Sequence, residues 1–444
     1  MINKGGRFLL ILFIFCNSIL NAQIIEHNPY SRLGIGELNT GALVRNLGMG
    51  GIGVGAPGNE YINHLNPALL STNKKLNVDS THKFTMFEAG AKGVARFLAN
   101  SNEKYRSMGG NFNYFHFVFP VSRRWSTSAG IEPYSQMNYE MRYGEYNSGQ
   151  TVEMTHSGRG GIYKAHFSNG VDITRNLSFG LQTYYLFGNL TEESVTRAFV
   201  SQDEFRYGMV QKTFYSGGGI KPGVSYRGYF KRDSLNTNDI FFTVGATADL
   251  FFGTHAERTR TRTSMTNLNQ LVTDTVVESM SMNFMPPPAY RIGFSIDKPR
   301  TWLLGADFAF YNWQAMRNFD NDNMQNAFTV AIGGEYLLPY TKDGNKNQDH
   351  LKRKTVRMGL SYSRTPYVIN GERVNDFSVS VGGSLPIGRQ DNPRYRSKPL
   401  NKINWALVAG QRGNNGAGLV RDRYIQLHLG LLITEKWFEV RRID

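Results

Sequence analysis

The sequence predicts an all-β protein: a transmembrane antiparallel β-barrel of about 14 strands with an N-terminal plug (hatch) inside its lumen. Three observations lead there. Beyond residue 22 no apolar run approaches the roughly 20 residues that a membrane helix needs, yet the chain carries 47 Gly, 29 Phe and 23 Tyr in 444 residues. Segments of about 10 residues alternate apolar with polar or small side chains, as strands do between lipid and a watery lumen. The stretch 23–72 is glycine-rich, precedes the first such strand and lacks the alternation.

The opening residues read as a signal peptide over 1–22. Lys4 and Arg7 form a basic start, 8–15 a short apolar core, and Leu20-Asn21-Ala22 a cleavage region before Gln23. Cys16 lies inside the apolar core behind bulky Phe15, which is not a lipidation context. It is the only cysteine, so the exported chain would have no disulfide, thiolate nucleophile or cysteine-bound metal. Losing the leader lowers the formal charge from +15 to +13, since 1–22 holds two basic and no acidic residues. For an exported chain the expected counterparts of this positive balance are outer-membrane lipid headgroups and lipopolysaccharide phosphates, not nucleic acid. The densest basic runs, Arg258, Arg260 and Arg262, and Lys352, Arg353 and Lys354, each read as solvated loop charge.

Next comes "RNLGMGGIGVG" (45–55), with a G-x-G-x-x-G at Gly48, Gly50 and Gly53. A dinucleotide loop needs a strand before it, a helix after it and an acidic residue about 20 positions on. No such context surrounds it. The region 23–75 is instead expected to fold as a plug, where glycine lets backbone approach the barrel wall closely.

Barrel strands are expected over 76–444, starting near 82, 112, 125, 160, 177, 213, 240, 286, 302, 326, 354, 374, 402 and 421. That number is even, as a closed barrel with both ends on one side requires. In "LSFGLQTYYLFG", Leu177, Phe179, Leu181, Tyr185 and Phe187 face lipid while Ser178, Gly180, Gln182 and Tyr184 face inward. "FFTVGATADLFFG" and "YIQLHLGLLI" repeat the pattern at 241–253 and 424–433. Short turns at 122–124, 174–176 and 298–301 share one side of the barrel, and the long connections 137–159, 189–212 and 254–285 the other. The polar stretches 227–239, 339–353 and 387–401 are less comfortable on the short-turn side. Trp125, Trp302, Trp405 and Trp437 sit at strand ends, where an interfacial aromatic belt belongs.

By this parity Asp249, Arg291, Asp307, Glu335, Arg357 and Asp376 point into the lumen. A charge facing lipid at mid-depth costs about 2–4 kcal/mol. Both signs are present, so these residues can pair with one another and with Arg32 and Arg45 of the plug, either bracing the lumen or latching a movable hatch. Tyr184 and Trp313 are candidate lumen aromatics. His116 faces outward by parity and His428 inward, and both read as structural. There is no H-E-x-x-H, no G-x-S-x-G and no acidic run with metal-ligand spacing. The expectation is therefore no enzyme, no cofactor and no metal.

"RNLGMGGIGVG … INHLNPALL", with Asn66-Pro67-Ala68, resembles the N-terminal hatch of the FadL-like family of outer-membrane long-chain fatty-acid and hydrophobic-compound transporters. "PPPAYRIGFS … WLLGADFAFYNW" (286–313) and "VRMGLSYSRTPYVINGERVNDFSVSVGGSLPIG" (356–388) resemble its later strands. The resemblance implies a porin-like channel in the outer membrane of a diderm bacterium, passing hydrophobic small molecules beside a hatch or sideways through the wall. Gating would fall on Arg32, Arg45, Gly48, Gly50, Gly51, Asn66, Pro67 and Ala68. Some FadL-like barrels instead serve as partner subunits of protein-secretion (type IX-like) or other outer-membrane assemblies, for which 254–285 would be a docking surface.

Overall fold

The computed structural model describes residues 26–444 apart from 59, 75–84, 102, 148–149, 201–202, 233–238, 266–270, 321–323, 339–353, 388–400, 417–418 and 436–444. The expected leader and Trp437 lie outside the described residues, as do 339–353, residues 233–238 of 227–239 and most of 387–401.

Period-two alternation of side chains pleats into strands whose two faces meet different surroundings. A two-residue strand, β1 (Glu37–Leu38), lies in the N-terminal segment. It is followed by β2 (Thr85–Ala99), β3 (Lys104–Pro120), β4 (Trp125–Asn147), β5 (Gln150–Asp172), β6 (Leu177–Val200), β7 (Asp203–Lys231) and β8 (Ile240–Met265). Then come β9 (Leu271–Met282), β10 (Ala289–Lys298), β11 (Trp302–Tyr311), β12 (Ala327–Leu337), β13 (Thr355–Ile369), β14 (Glu372–Ile387), β15 (Asn401–Arg412) and β16 (Arg421–Glu435). Apart from β1 and β9, each pairs antiparallel with its neighbours, and β16 returns to β2 from Arg421↔Ala99 to Glu435↔Thr85. The result is a closed barrel of fourteen strands. Closure pairs most of the edge groups that lipid would otherwise strand at several kcal/mol apiece.

The facing follows the expected alternation over most of the wall. Ile425, Leu427, Leu429 and Leu431 of β16 are exposed while Asp422, His428 and Thr434 are buried. Phe179, Leu181, Tyr185 and Phe187 of β6 are exposed, with Ser178, Gln182 and Tyr184 buried. Short turns close one end: Val121 and Ile173 donate their backbone N–H to Trp125 and Leu177 across two of them. At the other end β13 and β14 join through Asn370 and Gly371, both at positive φ (51° and 82°), as a two-residue I′ hairpin requires.

Three departures carry information. First, the connections expected as loops at 137–159, 189–212 and 254–285 are largely strand: β7 runs 29 residues and β8 runs 26. About 9–11 residues cross the hydrocarbon, so these ladders continue into water, where both faces can be polar. Among the described residues strand β9 pairs only with β8, forming a hairpin outside the closed ring. Second, His116 points inward and is fully buried, not outward. The β2–β3 ladder steps from Gly90↔Tyr114 to Ala91↔Phe112, leaving Asn113 as a bulge. Asn113 and Tyr114 are both buried, and every later residue of β3 changes face. Third, β3 and β4 pair only from Phe115↔Ile131 to Pro120↔Ser126. Beyond that fork the two strands part, and β4 pairs instead with β1 through Glu37↔Gln136 and Leu38↔Ser135.

The core lies inside the ring. Leu43, Val44, Tyr61, Ile62 and Leu70 of the N-terminal segment pack with Tyr114, Val118, Ala406 and Leu432 of the wall. Nearer the tall strands, Ile35 joins Met137, Ile162, Leu186, Leu190 and Phe284. The facing has a measurable consequence. Leu427→Arg on the outward face should cost about 2–4 kcal/mol in lipid-vesicle unfolding titrations, while Gln426→Arg, its inward neighbour, should cost clearly less.

Candidate functional site

The N-terminal segment meets the wall backbone to backbone. A single helical turn, Val44–Leu47, leads into the glycine run. A Cβ on Gly48 would stand 3.3 Å from the Cα of Gly382, and one on Gly50 would stand 2.7 Å from the carbonyl oxygen of Leu360. Gly55 lies against Gly293, and Gly359 lies against Gly50 and Met49. Gly50 also has φ +73°, so both its conformation and its surroundings select glycine. Hydrogen bonds fix the seam: Gly50 N–H donates to Ser380 Oγ (2.8 Å) and Ser295 Oγ donates to the Gly55 carbonyl (2.7 Å). Further on, Pro67 and Ala68 rest on Gly170, Gly180 and Gly223. Gly51, at φ +96°, has nothing among the described residues within 4 Å of where a Cβ would be.

Three buried asparagines hold the segment's own shape. Asn46 Nδ2 donates to Ile52 O (2.7 Å), and Asn63 Nδ2 donates to Gly53 O and Ala56 O (both 2.7 Å). Asn66 Nδ2 bridges Val54 O and the wall's Val224 O at 3.0 Å each, while its Oδ1 accepts from Ala68 N (3.1 Å). Asn66-Pro67-Ala68 thus forms a corner that is tied to the wall at β7.

The G-x-G-x-x-G does cradle an anion, but one supplied by the barrel. The backbone N–H groups of Gly53 and Val54 donate to Asp307 Oδ2 at 2.6 and 2.8 Å. Successive N–H groups in such a turn form a small concave anion site, here filled by a carboxylate of β11.

Two charge groups complete the contact. Arg45, with no exposed surface, donates through Nε and Nη2 to both oxygens of Glu335 (3.2 and 2.6 Å), and Arg357 Nε donates to the same carboxylate at 3.1 Å. The ring of Tyr61 lies beneath the cations of Arg45, Arg357 and Lys402, at 5.0, 4.7 and 4.3 Å. Burial alone would raise the Tyr61 phenol, but Lys402 and Arg357 outweigh it and hold it below its usual range. Lys402 pairs in turn with Glu60 at 2.5 Å. The second group centres on Glu37 of β1. Arg412 Nη2 donates to it at 2.6 Å and Arg96 Nη2 at 3.4 Å. Arg412 also reaches Asp376 (2.8 Å), and Arg96 reaches Asp422 (2.5 Å). Burial would raise the Glu37 carboxyl, but Arg412 and Arg96 hold it well below the usual carboxylate range.

Between the segment and the wall lies a cavity of about 320 Å³. Its lining includes Glu37, Lys92, Arg291, Asp307, Asp376 and Arg412, together with Asn113 of β3 and Gln136 of β4, on either side of the fork. Residues 27–39 bridge that fork: His27 N–H donates to Ser107 Oγ on β3 (2.8 Å), Asn28 N–H to the Asn138 carbonyl on β4 (2.7 Å), and Asn39 N–H to the Tyr134 carbonyl (2.9 Å).

All six charges expected in the lumen point inward. Asp249 pairs with Arg291 and Lys221, Glu335 with Arg45 and Arg357, and Asp376 with Arg412, while Asp307 takes backbone N–H groups. Arg45 meets this network, whereas Arg32 is exposed and joins none of these ion pairs. Tyr184 is buried with its hydroxyl donating to the Leu250 carbonyl (3.2 Å), and Trp313 is buried beside Tyr30 and Tyr367. Sequence reading missed Arg96, Arg412 and Asp422, whose inward facing the strand alternation could have shown, and Glu37, which lies in the segment without alternation. It read His116 as structural and missed its grouping with His64 and Glu132, the side-chain ligand atoms of the three lying within 4.8 Å of one another. The expectation of no metal site rested on local spacing, and these three come from separate elements. For the Arg45–Glu335–Arg357 group, Glu335→Gln leaves two guanidinium groups buried without their anion. It should destabilise the folded barrel by about 3–5 kcal/mol, read from the midpoint of denaturant unfolding in lipid.

Solved structures share the architecture. The Pseudomonas putida toluene transporter TodX is 16% identical with a TM-score of 0.56, over 91% of this chain and 100% of that one. The Ralstonia pickettii toluene transporter TbuX is 15% identical (TM-score 0.54; 90% and 99% covered), and the CymD monoaromatic hydrocarbon channel 12% identical (TM-score 0.55; 90% and 98%). A Pseudomonas aeruginosa FadL homologue is 11% identical with a TM-score of 0.54, over 89% of this chain and 98% of that one. At these identities the likeness is one of fold, and it is the FadL-like barrel expected from the sequence. No curated protein matches the chain. The BamG family model matches residues 1–444, and the chain belongs to the BamG family.

Proposed function

We propose that the chain is an outer-membrane channel for the passive uptake of hydrophobic compounds such as long-chain fatty acids. In this reading a leader over 1–22 exports it, 23–75 is a hatch, and 76–444 is the barrel, in the outer membrane of a diderm bacterium. The observation that carries the reading is the fork between β3 and β4, bridged by 27–39 and backed by the cavity. A gap in the wall gives apolar molecules a route between bore and lipid that avoids water. With Glu37 seated on Arg96 and Arg412 the route is covered and the cavity lined by charge, so passage requires the bridge to withdraw. An apolar ligand shifts that balance only by as much as it prefers the withdrawn state. The solved structures of like fold include two toluene transporters and a monoaromatic hydrocarbon channel, which supports the substrate class.

The test is a lock. Leu38 and Ser135 are direct partners across β1 and β4, a separation within reach of a disulfide. Leu38→Cys with Ser135→Cys, oxidised, should slow oleate or toluene uptake into liposomes to the level of empty vesicles, and a reductant should restore it. Equal uptake with and without the lock overturns the reading.

A second reading, a partner-binding subunit of an outer-membrane assembly, is favoured by the β8–β9 hairpin. Among the described residues strand β9 pairs only with β8 and so presents an unpaired edge beyond the ring, the kind of edge that another chain can extend. It predicts a stoichiometric partner in native-membrane purifications that is lost when 259–280 is deleted.

A further inference from the structure

At the fork itself sits a cluster that neither charge group uses. His116 lies on β3 one residue from the last β3–β4 pair, Glu132 lies on β4 one residue beyond it, and His64 reaches them from the N-terminal segment. All three are buried, at 0%, 3% and 1% exposure. We infer that His64, His116 and Glu132 form a binding site for a divalent transition-metal ion, Zn²⁺ by its ligand chemistry, which pins the N-terminal segment to both strands at the point where the wall divides.

The geometry supports this in four ways. The donor set of two imidazoles and a carboxylate suits zinc, and leaves a fourth position for water. Glu132 Oε2 stands 2.9 Å from His64 Nε2 and 3.5 Å from His116 Nε2. Ligands at about 2.0–2.1 Å around a tetrahedral ion are separated by roughly 3.3 Å, so small shifts would seat one. Among the described residues two buried ring nitrogens here, His64 Nδ1 and His116 Nε2, lack a hydrogen-bond partner, the latter having only the 3.5 Å ion-pair contact with Glu132, which is costly at such depth. Gly41 flanks the site: a Cβ there would stand in ordinary contact with Glu132 Oε1 (3.5 Å) and His64 Nε2 (3.6 Å), so the glycine leaves about a methyl group's volume beside the ligand atoms.

An outer shell is also in place. His116 Nδ1 lies 3.1 Å from His166 Nε2, and His166 Nδ1 lies 3.3 Å from Ser168 Oγ, which accepts from Gln182 Nε2 at 3.0 Å. With a cation on His116 Nε2, its Nδ1–H donates to His166 and the His166 Nδ1–H to Ser168, so each ring keeps a partner. Metal-bound histidines are oriented by such second contacts. Lys164 Nζ, 2.5 Å from Glu132 Oε1, fixes the carboxylate with Oε2 toward the histidines. As a neighbouring cation it also opposes the ion.

The experiment uses the full chain purified in detergent with a tag free of histidine, stripped by a chelator, then titrated with Co²⁺ and with Zn²⁺. One Zn²⁺ per chain by calorimetry, and visible absorption of tetrahedral cobalt that Zn²⁺ displaces, are expected. His64→Ala and Glu132→Gln should each weaken binding by at least about tenfold, and Lys164→Met should tighten it. Heat-modifiable gel mobility reports that each variant is folded. Substoichiometric uptake by the wild-type protein overturns the site by itself, whatever the variants do. So does undiminished binding by a folded His64→Ala, His116→Ala double variant.

Discussion

The meeting of two backbones, one from the N-terminal segment and one from the wall, is the contact on which the rest of this molecule depends. Side chains cannot mediate it, because at Gly50, Gly55, Gly293 and Gly359 there is no room for a Cβ. Close approach brings the polar groups of both backbones together, and they are satisfied locally by Ser295, Ser380, Asn66 and Asp307. Bulkier residues along the seam would hold the segment off the wall and leave those groups dry and unpaired.

Charge then makes the fit specific. A buried ion pair adds little net stability against an apolar pair of the same shape, but losing one partner is severe. Arg45 and Glu37 each come from the segment, and each meets wall residues that already have a second partner: Glu335 is shared with Arg357, and Arg412 with Asp376. Any other register of the segment would leave several of these groups unmatched. The two sets sit at different places along the segment, so they fix its position and its path.

Much of this was legible in the residues. The lipid-facing stripes of β6, β8 and β16 and the inward facing of Asp249, Glu335 and Arg357 follow from period two alone, because hydrocarbon tolerates so little polarity. What defeated the same reading was local geometry. One extra residue at Asn113 reversed His116, and no alternation announces a bulge. The tall parts of β4 to β8 looked like loops since strands standing in water need no apolar face. The fork was invisible because it depends on which strand β4 pairs with, a choice made in three dimensions. The glycine motif was expected to serve a plug and not a nucleotide, yet its N–H groups perform the anion-holding task of such loops for Asp307, 253 and 254 residues away along the chain.

The small strand β1 has an implication for how the cylinder comes together. Gln136 and Ser135 have β1, and not β3, as their partner on that side of β4. A ring that zipped shut around empty space would leave that border bare, with amide and carbonyl groups facing either grease or nothing. Assembly must therefore thread the leading residues before or while the seam forms, and the wall is complete only when the front of the polypeptide has become part of it.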